Sequence, residues 1–140
     1  ERGPGESVLE ALRRDYLAAV AEHDPVIGFS GRPFAQMIAD SPALLARLRD
    51  LHDQREQALL AALVEEADPD SDDPVPRVAA ALLGAVHRVL FQETFHRTLA
   101  GETDEQIAEA VARHAATAFG VLEPALGDYG RRSLSRCTKD

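Results

Sequence analysis

The chain has one cysteine, Cys137, and no tryptophan. A single cysteine excludes a disulfide within the chain and any cysteine-rich zinc site. Aromatic residues make up only 5% of the sequence. Runs of β-branched residues are nearly absent, which argues against sheets. No apolar stretch approaches the roughly 18–20 residues of a membrane span, and no secretory signal is visible. No membrane association and a cytoplasmic location are therefore expected. Bases are also in short supply: 15 Lys and Arg face 24 Asp and Glu, for a net charge of -9. The segment after Leu126 holds four of those bases against two of the acids, so the rest is more acidic still. Such a surface repels phosphate backbones, which argues against direct binding to nucleic acid.

Alanine and leucine dominate what remains, and both favour helix. The segment 1–6, "ERGPGE", reads as the remnant of a linker. Ser7 and Glu10 form a capping box that opens a helix over 8–22, with Leu9, Leu12, Tyr16 and Val20 at helical spacing. "HDPVIGFSGRP" breaks it. A short helix follows over 33–39. Ser41 and Pro42 open a long helix to about 67. "DPDSDDPVP" at 68–76 is an acidic loop. A helix over 76–99 ends before Gly101, and Thr103 with Gln106 caps another over 104–126, which Pro124 threatens to end early. The expected fold is all-α, with about five helices in one domain over 7–126. A loosely held polar tail over 127–140 completes the chain.

Several faces invite closer reading. Leu44, Leu48, Leu51 and Leu59 form one stripe of the 42–67 helix, and Arg55 falls among them. An arginine there is paired with a buried acid, reaches to solvent, or points into a cavity. Glu93 is its candidate partner. The 76–99 helix is apolar on more than one face, so it should be surrounded by protein. Its face of Leu83, Leu90 and Thr94, with Val111, Ala115, Ala118 and Leu122 of the last helix, is the expected dimer interface. The two last helices would then make half of an intermolecular four-helix bundle.

"ETFH" places Glu93 and His96 at the Glu-x-x-His spacing of carboxylate-bridged metal bundles. That chemistry needs a second such step and two further carboxylates, and none occurs on an apolar face. No metal and no cofactor are expected. Nor is there a glycine-rich phosphate loop, a nucleophile elbow or a cysteine beside a histidine, so no enzyme is expected.

The order of elements, together with "VAAALLGAVHRVLF" and "LAGETDEQIAEAV…FGVLEPAL", resembles the C-terminal regulatory domain of TetR-family transcriptional repressors. The resemblance covers about 7 to 126. It implies a homodimer through the last two helices and a pocket for a small, often hydrophobic effector. It also implies control of operator DNA through an N-terminal helix-turn-helix domain, which this sequence lacks. The family's pocket residues vary, so candidates come from position and chemistry: Tyr16, Phe29, Phe34, Met37, Arg55, Leu59, His87 and Phe91. They combine apolar walls with a few polar anchors. The glycine-flanked segment "GFSGRPFAQM" is expected to gate the pocket. Two other readings stand beside this one: a helical protein-interaction module, and a metal-dependent helical bundle built on Glu93 and His96.

Overall fold

The computed structural model describes residues 2–131. They form an all-α fold of six helices. These are α1 (Val8–Ala21), α2 (Arg32–Ala39), α3 (Pro42–Glu66), α4 (Val75–Leu99), α5 (Asp104–Val121) and α6 (Glu123–Leu126). A single 3-10 turn, Pro25–Ile27, lies between α1 and α2.

The caps fall where the sequence places them. Ser7 Oγ accepts from Glu10 N at 3.1 Å, and the Glu10 carboxylate accepts from Ser7 N at 2.8 Å. Thr103 and Gln106 repeat the box at α5. Ser41 Oγ accepts from Leu44 N at 3.2 Å. Each satisfies backbone donors that the first helical turn leaves orphaned. The expected 104–126 helix is two helices. Pro124 has no N–H to continue the ladder, and the chain restarts as α6 with Pro124 in its first turn.

α4 runs between α3 and α5, α1 packs on α5, and α2 lies across α3 and α4. Phe119, Leu9, Leu83, Leu90, Ile107 and Val111 are among the most deeply buried side chains. Thr94 and Thr98 join them, and each hydroxyl donates back along its own helix, to the Leu90 and Thr94 carbonyls. Gly28 has φ of 112°, a left-handed value that glycine adopts freely. It also lies close to α4, where a Cβ would meet the Thr94 side chain at 3.2 Å.

The start of the tail is held, contrary to the expectation for 127–140. Val8 N donates to the Tyr129 carbonyl at 3.1 Å. The Arg131 guanidinium donates to the Glu10 carboxylate at 2.9 Å and to the Gly5 carbonyl at 2.7 Å. Arg2 pairs with Glu66 and donates to the Gly130 carbonyl. Polar composition hid these contacts, because they are ion pairs and backbone bonds rather than apolar packing. Residues 132–140 of the expected tail lie outside the described residues. Among the described residues, no helix is long and apolar enough to cross a membrane.

Candidate ligand-binding site

α3 is 25 residues long, yet only Leu63 near its end is fully buried. Its N-terminal half leaves a groove against α2 and α4. The groove has a volume of about 530 Å³ and is walled by Phe34, Met37 and Ile38 of α2, Leu44, Leu48 and Leu51 of α3, and Phe91 and Phe95 of α4. Such a volume suits a small molecule. A smaller chamber of about 70 Å³ lies deeper, lined by Leu12, Tyr16, Ile27, Leu59, Gly84, His87 and Arg88 among others. His52, Arg55 and Phe91 line both spaces and so stand between them.

The apolar surface of the chain is unevenly spread. Val26, Phe34, Met37, Leu44 and Leu51 are all exposed, and all five line the groove. Phe34 and Met37 are each more than half exposed, at 53% and 51%. A contiguous apolar patch of this kind marks a site where something binds. The other exposed large hydrophobics among the described residues are Val75, Val78, Val89 and Val121, on α4 and α5.

The polar groups of the chamber are few and individually placed. His87 Nδ1 donates to the Leu83 carbonyl at 2.9 Å, which leaves its Nε2 lone pair for another donor. Burial, then the nearby Arg55 guanidinium, lowers the His87 pKa and favours the neutral ring. His52 is lowered in the same way, by burial first and then by Arg88 and Arg55. The His52 ring meets Phe91 edge-on, with centroids 4.7 Å apart. Tyr16 is only 3% exposed, and its hydroxyl lacks a well-formed hydrogen bond among the described residues. Burial raises its phenol to about 12, partly offset by the Thr94 side chain. Glu56 is held by Arg88 at 3.0 Å, and Arg88 also reaches Asp53 at 2.5 Å.

Seven of the eight expected pocket residues come together here. Tyr16, Leu59 and His87 line the chamber, Phe34 and Met37 line the groove, and Arg55 and Phe91 line both. Phe29 is the exception: it is buried in the core and stacks on His23 with centroids 5.0 Å apart. Glycine-flanked position alone could not tell a core phenylalanine from a lining one. His52, Ile38 and Phe95 were missed. The signal for His52 is its place beside Leu48, Leu51 and Arg55 on α3.

The expected Arg55–Glu93 pair does not form. Glu93 Oε1 accepts from Arg97 Nε at 2.9 Å and from His114 Nδ1 at 2.5 Å. Local i, i+4 geometry on α4 and the adjacent turn of α5 take the carboxylate first. Arg55 makes no hydrogen bond or ion pair among the described residues. Among those residues, no three potential metal ligands converge.

The expected dimer face needs a larger correction. Leu83, Leu90, Thr94, Val111, Ala115 and Leu122 are buried by their own chain, and Ala118 packs partly buried against the same core. These residues face inward because α1 and α3 cover them. Helical periodicity finds an apolar stripe but does not say which stripe of a doubly apolar helix the chain covers itself. The uncovered stripe of α4 is Val78, Ala85 and Val89, and Val121 of α5 is exposed as well. No protein-family model, curated protein or solved structure matches the chain.

Proposed function

We propose that the chain is the effector-binding and dimerisation domain of a TetR-like transcriptional repressor, sensing a small, largely hydrophobic molecule. The observation that carries the reading is the groove with the chamber that shares three of its lining residues, where exposed aromatic and aliphatic side chains surround a few polar groups. Such surface is costly to leave in water unless something covers it.

The placement of α4 supports the regulatory part. Gly84, His87, Phe91 and Phe95 stand on the side of α4 that lines the two spaces. Val78 and Val89 stand on its outward side, 53% and 57% exposed, and Val121 of α5 is 72% exposed. In this reading a second copy covers that outward face, and the two copies join through α4 and α5. A ligand that moves α4 then shifts the dimer. A coupling of about 1–3 kcal/mol between the two sites is enough for switching. DNA release would follow in a helix-turn-helix domain carried elsewhere in the parent protein. The α2 segment, with Gly28, Ser30, Phe34 and Met37 along the groove, is the gate.

Two measurements test this. Sedimentation equilibrium should return a homodimer, and the neutral apolar fluorophore N-phenyl-1-naphthylamine should bind once per chain. Binding should also slow hydrogen exchange in residues 28–39. A monomer that needs another protein to cover the outward face would favour the interaction-module reading instead. Failure of the fluorophore to bind would remove the sensing role.

A further inference from the structure

We infer that the groove takes an amphipathic carboxylate, with its anionic head on Arg55 and its apolar body along Phe34, Met37, Leu44 and Leu48. This rests on the ligand-binding reading above and adds the charge class of the ligand.

The charge distribution carries the inference. The chain has 24 acids and a net charge of -9. Yet the groove lining contains Arg47, Arg55 and His52, and no Asp or Glu. Neither Arg47 nor Arg55 forms a hydrogen bond or ion pair among the described residues. In an acidic protein, two unpaired guanidiniums on an acid-free apolar groove complement an anion. The one acid in the chamber lining, Glu56, is already held by Arg88 at 3.0 Å.

Geometry selects Arg55 over Arg47 as the anchor. The two stand eight residues apart on α3, which is about 12 Å along the helix axis. Arg55 borders both the groove and the chamber. Arg47 borders the groove alone. A planar guanidinium matches a carboxylate through two parallel N–H donors. The remaining lining is mostly aliphatic and aromatic, which suits a hydrocarbon body and would solvate a polyanion poorly.

The test is displacement of N-phenyl-1-naphthylamine by three ten-carbon competitors below their micelle concentrations: decanoate, decanol and decyltrimethylammonium. Decanoate should displace the probe about tenfold better than decanol, the scale of a charge-assisted hydrogen bond. The cationic competitor should be weakest. In Arg55→Gln the advantage of decanoate should collapse to near equality, with decanol unchanged. Arg47→Gln should keep most of it. Equal displacement by decanoate and decanol in the native protein overturns the inference while leaving the ligand-binding reading intact. So does a decanoate preference that survives Arg55→Gln. If the probe does not bind, or no competitor displaces it, the ligand-binding reading itself fails and takes the inference with it.

Discussion

Glu56 occupies the space that a side chain on Gly84 would need. A Cβ at Gly84 would lie 2.6 Å from Glu56 Oε2 and 3.1 Å from its Cγ. A glycine inside a long helix is destabilising by about 1 kcal/mol relative to alanine. Here it lets a carboxylate of α3 lie close to α4 and reach Arg88. The pair therefore sets how closely two walls of the chamber approach.

The first prediction follows from that contact. Gly84→Ala alone should change stability by less than about 1 kcal/mol, because the helical gain is offset by displacing Glu56. In a Glu56→Ala background the same change should stabilise by about 1 kcal/mol. Urea unfolding of the four proteins in this cycle measures the difference directly. Strict additivity would show that the two residues do not compete for space.

Tyr16→Phe should raise stability by about 1 kcal/mol at neutral pH, because a buried hydroxyl without a good partner is removed. The alkaline limb gives an independent check. Burial raises the folded phenol from its ordinary 10.0 to about 12. Its contribution is therefore fully present below pH 10 and is lost as pH climbs from there through about 12. Native protein should lose about 2–3 kcal/mol more than Tyr16→Phe across that interval. Parallel pH profiles would mean that the phenol ionises freely in the folded chain.

His87 gives the opposite limb. Its folded pKa is lowered, by burial first, so its contribution is present above about pH 6.5 and declines as pH falls through the depressed value. Below pH 6.5, His87→Phe should flatten the acid loss of stability seen in urea midpoints. Imidazole proton shifts should place the His87 titration below that of a free histidine. His52 is lowered in the same direction, so His87→Phe should leave a residual slope.

The outward face of α4 and α5 can be challenged by charge. Val89→Glu with Val121→Glu should weaken self-association by at least about a hundredfold, since each buried contact would then enclose an unpaired carboxylate. Circular dichroism should remain that of the native fold, because both valines are already exposed in the single chain. A dimer that persists in sedimentation would mean that the copies meet elsewhere.

Much of the fold was legible because its boundaries are local. Ser7, Ser41 and Thr103 cap the helices they were assigned, and each works through neighbours three residues away. The pocket was legible in part. Tyr16, Arg55, His87 and Phe91 stood out as polar or aromatic residues on apolar stripes, and they do line the cavities. What failed was facing. Leu83 and Leu90 were given to a partner, while Val78 and Val89 were the ones left uncovered. Which stripe of α4 is covered depends on where α1, α3 and α5 come to rest, and no periodicity within α4 encodes that. Glu93 failed for a related reason: Arg97 one turn away and His114 on α5 reach its carboxylate.

Thr94 and Thr98 carry a chemical consequence of their own. Each hydroxyl spends its one proton on a carbonyl four residues behind, so it offers the neighbouring helices a methyl group and acceptor lone pairs but no donor. To a neighbour in search of a donor, the two threonines are valines in disguise. The seam from Leu83 through Leu90 to Thr98 then presents no free side-chain donor, although any hydropathy scale reads it as fading into polarity. Alcohols that spend their protons on their own backbone can only accept from the surface they help to build.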